Sequence, residues 1–95
     1  MFRVIDSFLF DEQALRNLPE SSWRLGPGLL VTIDAEQGPS FLVEPGSTVR
    51  VHRPDGSVID RIVAGVEVWR QHVGLFFTKT EQYEIPISSE IELQA

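Results

Sequence analysis

Residues 47–69 read STVRVHRPDGSVIDRIVAGVEVW, and this stretch carries the clearest signal for a fold class. Ser47–Arg53 alternates, with Val49 and Val51 on one side and polar residues between them, which predicts a strand with one solvent-facing side. The residues Pro54-Asp55-Gly56 follow, with proline at a favoured turn position and glycine where a positive φ is needed. The sequence therefore predicts a hairpin in which Ser47–Arg53 pairs antiparallel with the strand after Gly56.

The returning segment, Ser57–Trp69, is longer than an ordinary strand of roughly 5 or 6 residues. Gly65 lies near its middle, and the missing Cβ permits a sharp bend or a bulge there. Small barrels need such a bend where a strand turns a corner, and closure removes the two open edges of a sheet. We therefore expect one long bent strand in a closed sheet.

The rest of the chain consists mainly of short segments rich in Val, Ile, Phe and Thr between turn residues. A short helical insertion is predicted near residues 11–18, where Asp11 caps, Leu15 and Leu18 share one side, and Pro19 terminates. Residues 1–95 are predicted to form a single all-β domain, a small closed or nearly closed antiparallel β-barrel. The remaining predicted strands are Phe2–Phe8, Leu29–Asp34, Phe41–Val43, Val73–Thr78 and a stretch within Ile85–Leu93.

The first of these strands has a mixed pattern of apolar residues. Strict alternation places Phe2, Val4 and Phe8 on one face and Ile5 and Leu9 on the other. We therefore expect both faces of this strand to be covered.

The composition restricts the class of protein. The chain has 95 residues, no cysteine, and 14 acidic against 8 basic residues, for a net charge of -6. Without cysteine there is no disulfide framework, thiolate zinc site or cysteine nucleophile, and cytoplasm is the expected compartment. Asp6 interrupts the apolar run Met1–Phe10, so no signal peptide is expected. The other unbroken apolar runs are far shorter than the roughly 20 residues of a spanning helix, so no membrane segment is expected either. The acidic balance weighs against nucleic acid as a partner.

Several segments share an order of glycines, valines and turns with a known family. The best local match is Val63–Arg70, which resembles that family's Gly-Val-Glu-x-Phe strand; the others are Phe2–Phe8, Gly26–Thr32, Gly38–Val51, Val73–Phe77 and Ile85–Ile91. In this order they resemble domain II of the translation GTPases, the β-barrel that follows the G domain in elongation factor Tu and its relatives. The resemblance covers most of the chain and implies a β-barrel.

The chain departs from the family at its basic positions. Pro27 stands where the family's Gly-Arg-Gly has arginine, and Asp34-Ala35-Glu36-Gln37 stands where the family has a basic turn. Residues 11–25 look like an insertion, and the loop between Trp69 and Val73 is shorter than in the family. The family's barrel contacts the acceptor end of tRNA or ribosomal RNA, and the lost basic positions weigh against that role here.

The family's G domain has no counterpart in these residues. A phosphate loop needs a glycine-rich turn that ends in lysine followed by serine or threonine. The single lysine, Lys79, precedes Thr80, but no glycine lies closer than Gly74. We therefore expect neither binding nor hydrolysis of GTP, and no cofactor is predicted.

Aromatic residues give the main functional signal. In regular strands, Trp69 and Phe76 fall opposite the inward parity of their neighbours, and Trp23 in the insertion would join them. An exposed aromatic cluster rimmed by charge is typical of an interface anchor, whereas burial of all three in the core is the alternative. We predict a noncatalytic binding module that docks to a protein partner through an aromatic and acidic surface.

Two other classes of function stay open. An RNA- or ribosome-associated domain would use Arg50, Arg53 and Arg70, provided that they converge on one face with the predicted aromatic residues. A small hydrolase or metal enzyme would need a concave polar pocket that contains His52 or His72. The histidines lack a two-ligand spacing and the serines lack the Gly-x-Ser-x-Gly pattern, so no catalytic residue and no metal ligand is predicted.

Overall fold

Seven β-strands form the framework of the part of the chain that the computed structural model describes, which is residues 2–11, 13, 26–34, 43–69 and 72–93. A single 3₁₀ turn, Gln82–Glu84, precedes the last strand within these residues. The all-β prediction is therefore confirmed for these residues. The strands are β1 (Phe2–Phe10), β2 (Gly28–Asp34), β3 (Thr48–His52), β4 (Val58–Ile62), β5 (Gly65–Trp69), β6 (His72–Thr78) and β7 (Glu90–Leu93).

The strands lie in the order β4-β3-β7-β1-β2-β6-β5, and every neighbouring pair is antiparallel. β1 joins the two halves of the sheet, because Phe2 and Arg3 at its start pair with β7, whereas the rest of the strand pairs with β2. β4 and β5 stand at opposite ends of this order although they are consecutive in the chain.

The link between β4 and β5 is Val63-Ala64. The Val63 N–H donates to the Ser47 carbonyl at 2.8 Å, whereas the Ala64 N–H donates to the Phe76 carbonyl at 2.7 Å. The chain thus leaves the side of β3 and reaches the side of β6 within two residues. The predicted long strand Ser57–Trp69 is divided here, directly before Gly65, where the bend was expected.

The predicted β3–β4 hairpin is confirmed. Arg50 lies opposite Asp60 in the register, and the Gly56 N–H donates to the Arg53 carbonyl at 3.0 Å with a Gly56 φ of 91°. The Asp55 carboxylate accepts from both the Ser57 hydroxyl and the Ser57 N–H, at 2.6 and 2.9 Å. These bonds lower the pKa of Asp55 below its ordinary value. The turn is therefore held by local contacts.

The predicted parity of the first strand is wrong. Val4 pairs with Ile33 and Asp6 with Thr32, so two steps along β1 match one step along β2, and Ile5 is the extra residue of a β-bulge. The bulge reverses the alternation. Val4 and Leu9 consequently face the core together, while Phe8 faces outward with 54% of its surface exposed.

The core lies on the inner side of the sheet. The parities predicted for β3 and β6 are confirmed, because Val49, Val51, Val73, Leu75 and Phe77 are buried. Burying a side chain of this size contributes roughly 1.5–3 kcal/mol. The other buried apolar residues among those described are Val4, Leu29, Val31, Ile33, Val43, Val63, Ile85 and Ile91.

Some sequence-based predictions fall on residues outside the described ranges. The helical insertion at 11–18 is one of them, apart from Asp11 and Gln13, and the short strand Phe41–Val43 is another, apart from the buried Val43. None of the described segments is a helix with the length and apolar character needed to cross a membrane.

Candidate functional site

Three phenylalanine side chains meet on the outer side of the sheet, and we call Phe8 and Phe10 of β1 with Phe76 of β6 the aromatic surface. The ring centroids of Phe8 and Phe10 lie 4.7 Å apart with the planes tilted by 55°. Those of Phe10 and Phe76 lie 6.3 Å apart, tilted by 56°. Phe8 is 54% exposed, and the other two are half-buried. Tilted pairs at such distances contribute about 0.5–1.5 kcal/mol beyond burial.

The register of three strands aligns these rings. Phe8 lies opposite Leu30 of β2, and Leu30 lies opposite Phe76. Leu30 is half-buried between the fully buried Leu29 and Val31, so its side chain shares the outer face with the rings. Phe8 and Phe76 therefore lie in one row across β1, β2 and β6 with Leu30 in the middle, and Phe10 lies in the neighbouring row.

Gly28 makes room for the contact between Phe10 and Phe76. It lies opposite Phe10 on one side and Thr78 on the other. A Cβ at this position would lie 2.8 Å from the Phe76 ring and would also collide with the carbonyl oxygen of Phe77. The absence of a side chain lets the Phe76 ring lean over β2 toward Phe10, so this glycine is required by packing.

A groove of about 380 Å³ adjoins the aromatic surface at the end of β1. Leu9, Phe10 and Pro27 give it apolar walls, and its charged lining comes from Asp11, Lys79 and Glu81. Asp6, which is exposed, lies two residues before Phe8 on the same side of β1. Among the described residues, acidic groups therefore outnumber basic ones around the aromatic surface.

Phe76 lies where the sequence predicted it. Its neighbours Leu75 and Phe77 are buried, whereas Phe76 itself faces outward and is half-buried. The backbone of Trp69 ends β5 opposite His72, but its side chain lies outside the described part of the structure. Trp23 and Arg70 also lie outside it. Of the three predicted aromatic residues, Phe76 is therefore the one that the structure places in a cluster.

The predicted basic residue Arg50 is engaged by acidic groups. Its Nε lies 3.1 Å from Oδ1 of Asp60, its cross-strand neighbour, and Glu92 stands opposite it on β7. Asp60, and to a smaller extent Glu92, raises the pKa of Arg50 above its ordinary value. Arg50 lies on β3, which does not neighbour the β6 strand of Phe76 in the sheet order. The structure therefore does not bring this arginine to the aromatic surface.

Arg53 and Arg61 lie near one carboxylate at the end of the sheet. Arg61 Nη2 donates to Oε1 of Glu84 at 2.5 Å, and the Glu81 N–H donates to Oε2 at 2.7 Å. The Glu81 N–H and Arg61, with a smaller contribution from Arg53, hold the pKa of Glu84 below its ordinary value. Arg53 is half-buried, and its Nε has no hydrogen-bond partner among the described residues. This cluster attaches the 3₁₀ turn to β4.

Neither histidine belongs to a cluster of metal-ligating side chains within the described residues. His52 Nε2 lies 2.9 Å from Oε1 of Glu92 on the neighbouring strand. His72 is exposed at the start of β6. In the ranges that the structure covers, no group of three or more His, Asp or Glu side chains could hold a metal ion.

Phe8 and Phe10 are the residues that sequence reasoning missed. Strict alternation placed Phe8 with the buried Val4, because a β-bulge cannot be located from periodicity alone. A signal was present nonetheless. Val4 and Leu9 cannot both face the core on a regular strand, and a break in parity between them indicates a bulge.

Comparisons of the chain with protein-family models, with curated proteins and with solved structures give no match. The resemblance to domain II of the translation GTPases therefore stays a prediction from the sequence.

Proposed function

We propose that this domain is a noncatalytic binding module that docks to a protein partner through the aromatic surface. The observation that carries the proposal is the cluster of three rings on the outer face, with Phe8 more than half exposed. Rigid aromatic side chains lose little conformational entropy on binding and are over-represented among residues that dominate binding energy. The fixed geometry of Phe10 and Phe76 supports the same function, because an anchor held in place needs no reordering on contact.

The partner that fits this surface is an apolar side chain surrounded by basic residues. Asp6 lies beside the rings, and Asp11 and Glu81 outnumber Lys79 in the adjoining groove. The whole chain carries a net charge of -6, which steers basic partners toward it and repels nucleic acid. The cytoplasm is the compartment we propose, on the ground that the chain contains no cysteine.

We also propose that the sheet forms a nearly closed barrel like domain II of the translation GTPases. The support is the link Val63-Ala64, which joins the strands at the two ends of the sheet order and bonds to β3 on one side and β6 on the other. The remaining opening would lie between β4 and the end of β6. Such a barrel is a rigid frame, which suits a module that presents a preformed surface.

The test compares two exposed aromatic residues. The unchanged protein, Phe8→Ala and Tyr83→Ala are immobilised, and bound proteins from a lysate are identified and then purified for affinity measurement. Tyr83 is 75% exposed and lies in the 3₁₀ turn, so it serves as the matched control. We expect to find a partner that binds Tyr83→Ala as it binds the unchanged protein. Its affinity for Phe8→Ala should be about 30-fold lower, which corresponds to roughly 2 kcal/mol of binding free energy.

The folded state of each variant is checked by thermal unfolding before binding is measured. The docking function requires a protein that the unchanged chain and Tyr83→Ala both retain and that Phe8→Ala loses. If no such protein is found, the docking function is wrong. If the immobilised chain retains RNA in place of protein, and Arg50→Ala binds that RNA more weakly, the RNA-associated function is assigned instead.

A further inference from the structure

The outer edge of β4 has no partner strand among the residues that the structure describes. In its hairpin with β3, the bonded pairs Arg53–Ser57 and Ser47–Val63 fix the alternation, so Ile59 and Arg61 direct their backbone groups toward β3. The backbone groups of Val58, Asp60 and Ile62 therefore point away from the sheet. Within the described ranges, the N–H groups of these three residues have no hydrogen-bond partner, and the Asp60 carbonyl accepts from Arg61 Nη1 at 2.8 Å.

This edge faces a groove rather than a flat surface. A groove of about 460 Å³ is bordered by Asp60, Arg61 and Ile62 on one side and by Thr78 and Thr80 on the other. β6 pairs with β5 only as far as Phe76, so the end of β6 at Thr78 has no β5 residue beside it. The groove thus lies between the edge of β4 and the end of β6.

The spacing of the free groups determines what can bind there. Donors and acceptors at alternate residues of an extended strand repeat about every 7 Å, and another extended backbone matches this repeat. The unpaired edge therefore selects a peptide strand over a helix or a compact ligand. Exposed strand edges are often protected from pairing by charged side chains. Here the Arg61 side chain hydrogen-bonds the Asp60 carbonyl and no other backbone group of this edge among the described residues.

The side chains of β4 determine which strand fits best. Val58 and Ile62 are 48% and 64% exposed on the outer face, and Asp60 lies between them. Arg50 contacts Oδ1 of Asp60, and the Asp60 side chain remains 53% exposed. The matching strand carries apolar residues opposite Val58 and Ile62 and a lysine or arginine opposite Asp60.

A second copy of this chain is a poorer occupant of the edge. Antiparallel self-pairing that aligns Val58 with Ile62 of the other copy places Asp60 directly opposite Asp60. Like charges directly opposite each other destabilise a strand pair. The charge at the centre of β4 thus favours a partner strand with a basic centre over a homodimer.

We propose that the edge of β4 binds an extended segment of a partner protein with the pattern apolar-x-basic-x-apolar, which adds to the sheet as a strand. This site is separate from the aromatic surface and does not depend on the function proposed for it. Backbone bonds supply the affinity, and Val58, Asp60 and Ile62 supply the selectivity.

The test uses synthetic peptides of the core sequence Val-Thr-Lys-Thr-Val, with binding followed by fluorescence anisotropy against the unmodified protein. One peptide is N-methylated at the amides that face β4, and a second is N-methylated at the alternate amides. We expect the first methylation to abolish binding and the second to leave it within about threefold. Equal binding of both methylated peptides, or no saturable binding of the parent peptide by about 1 mM, overturns the proposal.

Protein variants test the selectivity. Replacing the peptide lysine by glutamate weakens binding about tenfold or more, and Asp60→Lys restores binding of the glutamate peptide. Val58→Pro removes an edge-facing N–H, whereas the control Val58→Thr keeps it, so only the proline variant loses the peptide. If the protein dimerises without peptide and Val58→Pro abolishes the dimer, the edge binds a second copy and the peptide site is refuted. Phe8→Ala leaves peptide binding unchanged, which separates this site from the aromatic surface.

Discussion

Replacing Gly28 with alanine tests the packing under the aromatic surface. The new Cβ would lie 2.8 Å from the Phe76 ring and would also collide with the Phe77 carbonyl oxygen. That oxygen belongs to a strand paired with β2, where Leu29 lies opposite Phe77, so it cannot move without disturbing the ladder. The ring can rotate away, but it then loses its contact with Phe10.

The expected loss of stability for Gly28→Ala is about 2 kcal/mol. Overpacking of a dense site costs about 1–3 kcal/mol, and the lost ring contact adds about 0.5–1.5 kcal/mol. The smaller entropy of the unfolded alanine chain offsets about 0.4–1 kcal/mol. With a urea m-value of about 2 kcal/mol/M, the unfolding midpoint falls by about 1 M, and the melting temperature falls by about 8–16 °C.

Gly46 supplies the matched control, because a Cβ there meets nothing within 4 Å but the residue has a φ of +96°. Gly46→Ala is destabilised by backbone strain of about 1–2 kcal/mol, and Gly46→Asn recovers part of this because asparagine tolerates positive φ. Gly28→Asn recovers nothing, since its defect is steric. An unchanged midpoint for Gly28→Ala, or recovery in Gly28→Asn, would refute the packing argument.

The remaining predictions concern charge, the core and nucleic acid. Glu84→Gln lowers the free energy of unfolding by about 1 kcal/mol at pH 7, because the Glu81 N–H and then Arg61 stabilise the Glu84 carboxylate and lower its pKa in the folded state. This stabilisation is present above the ordinary pKa of 4.5 and disappears as the pH falls below it. The urea midpoints of the variant and the unchanged protein therefore converge in acid. Phe77→Ala, at a core position that is 1% exposed, costs about 3–5 kcal/mol in urea unfolding. At about 150 mM salt we expect hairpin RNA to bind with a dissociation constant no lower than the non-specific range of roughly 10⁻⁴–10⁻⁶ M, and Arg50→Ala to leave the anisotropy titration unchanged. A clear loss of RNA affinity in Arg50→Ala would favour the RNA-associated function.

The features that the sequence predicts well are local. The β3–β4 hairpin depends on a three-residue turn whose proline, aspartate and glycine each have a defined role, and the aspartate and the glycine make the turn hydrogen bonds. The buried parity of Val49 and Val51 follows from strict alternation. The bend beside Gly65 was also predictable, because a strand of that length cannot remain straight in a small sheet.

The features that the sequence predicts poorly depend on partners far away in the chain. β7 lies between β3 and β1, and neither neighbour precedes it directly in sequence. The bulge at Ile5 lies close to the point where β1 changes partner from β7 to β2, and the parity break between Val4 and Leu9 indicates a bulge without fixing which residue is the extra one. The aromatic surface depends on this bulge, so Phe8 and Phe10 could not be assigned before the register was known.

The outer face differs between the two halves of the sheet, and this difference bears on where recognition occurs. Around β3, β4 and β7, outward side chains form cross-strand ion pairs such as Arg50–Asp60. Exposed pairs of this kind contribute only about 0–1 kcal/mol, and their charges largely compensate one another at a distance. Around β1, β2 and β6, the corresponding positions hold Phe8, Leu30 and Phe76, whose burial by a partner would release ordered water over a large apolar area. We therefore expect the aromatic surface to supply most of the binding energy for the docking function proposed for it, whereas the peptide site proposed at the edge of β4 would gain its affinity from backbone bonds and its selectivity from Val58, Asp60 and Ile62.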